Sequence, residues 1–362
     1  MAKQSSLTDF HRQNGAVLVE RDGWLLPFHF GDSNAEYEAV RSTCGFIDLS
    51  HRGLLQLTGP DRVAFLQGMV SNDVRLVKPF EGQHATILTQ QGKVIADVRV
   101  LCSLNSFYLD FWENLKDRIL EHLNRYLVAD EVEIADPSDE YATLSIQGPR
   151  SQSLLREVFG PNELPSRLLQ HAMLNLDETA ICAVRASHTG EAGFDLIAPK
   201  ANLIELAARL TESGKSVSAA WVGAEAQNIL RIEAGIPRYG VDFSEDNLLL
   251  EVGMEHAVSY TKGCYLGQEV VERIRSRGHV NKKLCGLLID GRNAVDRGTS
   301  LFGDSKTVGE ITSSVISPRL RRPIALGYVH KDFWQPGTSL SLKHGESMLS
   351  AKVTNVPFLT SS

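Results

Sequence analysis

The stretch Lys262-Gly263-Cys264-Tyr265-Leu266-Gly267-Gln268-Glu269 sets a thiol beside a lysine and just ahead of a Gln-Glu pair, with glycines nearby. Val270, Val271 and Ile274 follow at helical spacing, so a helix is expected from about Gly267. Cys264 then stands just outside a helix N-terminus, where unpaired N–H groups and the macrodipole favour an anion. Lys262 is expected to add a positive charge. Both effects lower a thiol pKa and raise the fraction of thiolate, the reactive form. Free cysteine is also among the most buried residue types, and Glu269 with Arg273 makes an ordinary i,i+4 pair. The local residues leave a working thiol and a structural one both open.

Other residues have the same two-sided character. Glu191, in "HTGEAGF", occupies a glycine-flanked turn between strands; its carboxylate either points into a cavity or sits in solvent. Asp97, in "QQGKVIADVRV", is either the polar residue of an alternating strand or an acid beside a reacting group. Arg231 lies off the helical stripe of Val222, Ala226, Ile229 and Leu230, so solvent is its default surroundings. Tyr239, in "PRYG", packs along a ligand or at a domain contact. The strip "RIRSRGHVNKK" gathers Arg273, Arg275, Arg277, His279, Lys282 and Lys283, either toward an anionic partner or as a solvated connector.

The elements that must position these residues alternate along the chain. "LLQLTGPDRVAFL" reads as a strand closing on Gly59-Pro60 and a helix after it, and "ATLSIQGPRSQSLL" repeats that order, a hint of two related halves. "HATILTQQGKVIADVRVLC" reads as two strands around a Gln-Gln-Gly-Lys turn. Leu115, Ile119, Leu123 and Leu127 mark an amphipathic helix. From Leu284 onward short β-like runs alternate with turn residues and no helical pattern occurs, so an all-β domain begins near Asn281. The expected class is α+β, with residues 1–280 forming a body of two intertwined subdomains and 281–362 a β domain.

Composition narrows the function class. With 362 residues, 43% hydrophobic and 22% charged, the chain is expected to be globular and to contain more than one core. A net charge of −7 with interspersed signs argues against nucleic-acid binding driven by overall charge. No apolar run reaches the length of a membrane span, and the start shows no signal core, so a cytoplasmic location without membrane contact is expected. Five dispersed cysteines without a CxxC pair read as reduced thiols rather than a disulfide frame or a metal site.

The Lys262–Glu269 stretch matches K-G-C-[FY]-x-G-Q-E, the motif of the folate-binding YgfZ family. "LTGPDRVAFLQGMVSNDV", "SIQGP", "HTGEAGFDL", "LRIEAGIPRYG" and "VGEITSSVISPRLRRPIALGYV" resemble the wider aminomethyltransferase (glycine-cleavage T-protein) superfamily. The resemblance implies three domains in a ring around a central channel that holds tetrahydrofolate, the last domain a β-barrel. It implies Glu191 as the pterin acceptor, with Arg231, Tyr239, Gln268 and Glu269 on the folate side and Cys264, Lys262 and Asp97 as the chemical groups. It also implies an accessory role in iron–sulfur cluster assembly or maintenance, including support of tRNA-modifying enzymes, with iron–sulfur client proteins as partners. The alternative is a tetrahydrofolate-dependent aminomethyltransferase or a related one-carbon transferase. Two departures bear on that alternative: Ala96 replaces the first acid of the transferases' paired aspartates, and His188 stands where they often carry an aromatic residue.

Overall fold

The computed structural model describes residues 2–278, 280–345 and 347–359. Three sheets and a barrel carry the molecule: a small N-terminal sheet in the order Lys3–Gln4, Trp24–His29, Val17–Arg21, the last two forming a hairpin, and two larger ones. The five-stranded sheet runs in the order Gly82–Leu88, Val94–Cys102, Phe107–Trp112, Arg52–Thr58, Glu133–Ala135, every neighbouring pair antiparallel. Strict alternation sorts its residues. Ala96, Val98, Val100 and Cys102 enter a core beneath the helices Arg62–Met69 and Lys116–Tyr126, while Asp97, Arg99 and Leu101 face the opposite way. Ile119 and Leu123 anchor the second helix, whose last residue is Tyr126, so Leu127 falls just past its end.

The six-stranded sheet has the order His171–Leu176, Thr179–Arg185, Gly193–Pro199, Tyr141–Gln147, Gly45–Asp48, Ala220–Trp221. Gly45–Asp48 pairs with Tyr141–Gln147, so the chain leaves this unit for the five-stranded sheet and then returns. The two units repeat a strand, a Gly-Pro corner and a helix. Gly59 and Gly148 both have positive φ, 99° and 131°, and both press against backbone, the Glu131 carbonyl in one case and Thr43 in the other. No side chain fits at either corner.

The third unit is a closed barrel of six strands in the order Lys282–Ile289, Arg322–His330, Lys306–Ser317, Ser300–Gly303, Ser339–His344, Ser347–Thr354. Its first strand begins one residue after Asn281. His279 of the basic strip lies outside the described residues. The helix Ala224–Glu233 is where the parts meet: it packs on the helix Ser33–Ser42, the strand Trp24–His29 and the barrel strands Lys306–Ser317 and Arg322–His330. Among the described residues no helix is long and apolar enough to cross a membrane.

The outward faces of the two sheets pack on each other. Leu101, Leu169, Val184 and Ile197 form the apolar part of that contact. Beside it Arg99 donates to Asp195 at 2.6 Å and also to Asp110, which accepts from Arg52 as well. His188 completes the set through Asp195, 2.9 Å away. Arg99, Asp110 and Asp195 are buried outright, and the Arg52 side chain is nearly so. Burial alone would raise the Asp195 carboxyl; His188 and Arg99 overcome it and hold that group far below the usual carboxylate range.

Replacing Arg99 leaves Asp195 and Asp110 buried without their common partner, a change that typically costs about 3–5 kcal/mol. Arg99→Met should therefore show a loss of that size in urea denaturation. A loss below about 1 kcal/mol, the scale of an exposed pair, would mean the network does not join the sheets.

Candidate functional site

Asp97 is the acid that the fold treats most unusually. It projects from Val94–Cys102 on the face that meets the other sheet, two residues before Arg99 and paired across to Thr86. It lies deep in the protein yet is not fully sealed from solvent. Its Oδ1 is buried and has no hydrogen-bond partner. Burial raises its pKa, opposed by Arg52 and Arg99. A carboxylate left unsatisfied at such depth is destabilising, and functional sites are where such costs persist. Tyr239 stands in the same electrostatic neighbourhood: burial first, then the Glu245 and Asp97 charges, push its hydroxyl up to about 12. Its ring packs edge-on to Phe243 at 5.2 Å.

Glu191 occupies a separate cleft of about 570 Å³, with Arg41, Glu233, Ile236 and Arg319 in its walls. The turn depends on Gly190, whose φ is +83° and whose missing Cβ makes room for Ala234. Arg41 donates to Glu191 Oε1 at 2.7 Å and to Glu233. The Glu191 side chain keeps 27% of its surface accessible, so its second oxygen is open to a donor from a ligand. A volume of this size falls within the range of small-molecule sites.

Arg231 departs from the solvent-facing default. It is buried and donates to Asn228 Oδ1, the Ile236 carbonyl, Asp242 Oδ2 and Ser313 Oγ at 2.7–3.1 Å. Asp242 also accepts from Thr312 and Ser313, which a bulge in the strand Lys306–Ser317 turns toward it. Arg231 thus fastens the body to the barrel. Glu233 of the same motif does likewise, accepting from Tyr37 at 2.7 Å and from Ser317.

The Lys262–Glu269 segment sits against the tip of the Gly82–Leu88/Val94–Cys102 hairpin. Gly267, at φ +83°, lies against Thr89, Leu88 and Gly92, and the helix Gln268–Arg277 begins directly after it. Cys264 is exposed, whereas Cys44, Cys102 and Cys285 are buried and Cys182 is half-buried. Burial pushes the Cys44 and Cys182 thiols up to about 12 and Cys285 up to about 11. Two sequence expectations change here. Lys262 does not place a charge beside the thiol; its ammonium is buried and donates to the carbonyls of Gln67, Val70 and Asn72 at 2.6, 2.6 and 2.9 Å. It closes the C-terminal end of the helix Arg62–Met69. Burial pushes its pKa down to about 8, but three acceptors require three N–H donors, which only the ammonium supplies. Glu269 does not face the interior either: its side chain is 91% exposed, with Arg273 4.0 Å away. Gln268 is half-buried in the helix's first turn.

The structure therefore places Asp97 and Tyr239 in one neighbourhood, Glu191 with Arg41 in a second, Arg231 at the barrel junction and Cys264 on the hairpin side. Asp48, His51 and Arg21, which the sequence reading passed over, surround a further cavity. Among the described residues no group of three or more His, Cys, Asp or Glu side chains is placed to hold a metal ion.

Comparison with known proteins places this geometry in context. Residues 7–262 match the family model described as the GCVT N-terminal domain, and residues 282–359 that of the glycine cleavage T-protein C-terminal barrel domain. An aminomethyltransferase of Rubrobacter xylanophilus is 32% identical over 359 residues, covering 98% of this chain and 94% of that protein. One from Halothermothrix orenii is 28% identical over 362 residues, covering 99% and 100%. The crystal structure of glycine cleavage system aminomethyltransferase T from Bartonella henselae covers 99% of this chain and 98% of its own, with a TM-score of 0.91 at 23% identity, a likeness of fold.

Two outcomes check the site. Lys262→Met should cost about 1–3 kcal/mol by leaving buried carbonyls unpaired, with the alkylation rate of Cys264 unchanged in the folded variant; a slowed thiol would restore the charge role. Because the folded state raises the Asp97 pKa, it binds that proton more tightly than the unfolded chain, and stability falls as pH rises above 3.8. Asp97→Asn should melt higher than wild type at pH 7, with the gap closing as pH approaches 3.8. A lower melting temperature at pH 7 would show that Asp97 is a structural acid.

Proposed function

The chain belongs to the glycine cleavage T-protein family, and from that premise we propose that it binds tetrahydrofolate and acts as a folate-dependent aminomethyltransferase or a related one-carbon transferase. The buried, unpartnered oxygen of Asp97 carries the proposal. Tetrahydrofolate, when bound, supplies the nitrogens that accept the one-carbon unit. Glu191 Oε2 suits the amino and ring N–H donors of a pterin, and Arg41 fixes the other oxygen so that the carboxylate is already oriented. Asp97, its pKa raised, is suited to hold a proton at Oδ1 for a departing amine or to orient a folate N–H. Its strand is fixed by the Arg99 network, so the carboxyl does not have to be ordered at the moment of reaction. A single acid at this place, with Ala96 beside it, serves one proton transfer.

A second reading is favoured by a different observation. Cys264 is the exposed thiol of a motif that resembles the YgfZ subfamily, and this supports an accessory role toward iron–sulfur client proteins in the cytoplasm. Folate occupancy would serve both readings; turnover separates them.

The purified protein with tetrahydrofolate and an aminomethyl-loaded lipoyl carrier should release ammonia. Asp97→Asn should lower turnover by about 10²–10⁴-fold while folate still binds. Cys264→Ala should leave turnover unaffected. Folate binding without ammonia release, together with loss of iron–sulfur enzyme activity in Cys264→Ala cells, would displace the transferase in favour of the accessory role.

A further inference from the structure

A cavity of about 60 Å³ lies between the N-terminal hairpin, the helix Ala224–Glu233 and the ends of both sheets. Its walls contain more donors than the protein satisfies. Arg21, the last residue of the strand Val17–Arg21, makes no side-chain hydrogen bond and no ion pair among the described residues. Its neighbour Asp22 is taken by Arg238, and the adjacent Arg231 is bound to Asp242. His51 is more than nine-tenths buried, stacked on Trp112 at 5.3 Å, and its Nδ1 has no partner.

The carboxylate in the wall, Asp48, is already saturated. It accepts from Ser5 Oγ at 2.7 Å, from the Ser50 N–H at 2.9 Å and from the Ser50 hydroxyl at 2.5 Å, and His11 Nε2 lies 2.8 Å away. Burial, chiefly, brings His51 down to about 4, so its ring is neutral at pH 7, and among the described arginines of the wall Arg21 is the one without an ion pair. Burial lowers the Arg21 pKa against the attraction of Asp22, which Arg238 holds, and the guanidinium's fork geometry matches a carboxylate.

Arg21, Ala224 and Asn228 also line a wider cleft of about 750 Å³ on the outer side, between the hairpin and the barrel strand Lys306–Ser317. Val19, Phe28, Ile229, Val315 and Ile316 give that cleft apolar walls. Three of them, Val19, Phe28 and Ile316, are exposed large hydrophobics, an arrangement that marks an unoccupied contact surface. Arg21 lines both spaces, at the neck between the outer cleft and the inner cavity.

We propose that this neck is a binding site for a carboxylate carried on an apolar chain, the carboxylate on Arg21 and the chain along the outer cleft. The inner cavity has room for a small polar head and not for a ring system. Neither Asp97, Glu191 nor Cys264 lines either space, and Arg231 in the inner wall is bound to Asp242, so the site is tested without folate.

Titration calorimetry at pH 7.5 with octanoate, octanamide and acetate tests both parts of the assignment. Octanoate should bind at least about tenfold more tightly than octanamide, which lacks the charge, and than acetate, which lacks the chain. Arg21→Gln should lose at least about tenfold of the octanoate affinity, and Arg21→Lys should recover part of it. In the wild-type protein octanoate should protect Arg21 from phenylglyoxal, read by peptide mass mapping, which keeps the test independent of how the variants fold. Octanamide binding as well as octanoate, acetate binding as well as octanoate, or Arg21 labelling at the same rate with and without octanoate would each overturn the assignment. Folate titration of Arg21→Gln should match wild type.

Discussion

Two sheets meet in this protein through faces that carry charge, and Arg99 makes that possible. It bridges Asp195 of one sheet to Asp110 of the other, with Arg52 and His188 completing the pairing. Buried ions are tolerated only when each has a partner of opposite sign with good geometry. The chain meets that condition along one strand face and then breaks it at Asp97, whose Oδ1 is left without a partner two residues away. The contrast is local. The same strand that supplies the pairing also positions the unpaired acid, so the rigidity of the first fixes the place of the second.

The motifs that carry the family resemblance divide between holding the fold and forming the site. In "LRIEAG", Arg231 and Glu233 tie a central helix to the barrel through Asp242 and Ser317, and Gly235 lets the segment near Val356 approach. In "HTGEAGF", the glycine turn leaves Glu191 with one oxygen bound and the other open. In "KGCYLGQE", the lysine closes a helix end while the cysteine stays outside. A motif therefore identifies the family, and only the geometry says which of its members touch a ligand.

Much of this was legible in the residues because the signals were local. The alternation in Val94–Cys102, the repeat of strand, Gly-Pro corner and helix, and the change of texture after Lys283 depend on near neighbours in the chain. The helix after Gly267 was visible from Val270, Val271 and Ile274 for the same reason. What was not legible rests on partners far away in sequence. Lys262 finds carbonyls about 190 residues earlier, Arg231 finds Ser313, and Arg99 finds Asp195. Arg21 and His51 gave no signal at all, since an unpaired cation is defined by what fails to surround it.

A crystal structure of the protein soaked with tetrahydrofolate tests most directly whether one folate reaches from Asp97 to the Glu191 cleft. The pterin donors should lie about 3 Å from Glu191 Oε2, and a folate nitrogen should lie within hydrogen-bond reach of Asp97 Oδ1. A folate bound elsewhere, with the Asp97 oxygen still unpartnered, would contradict it.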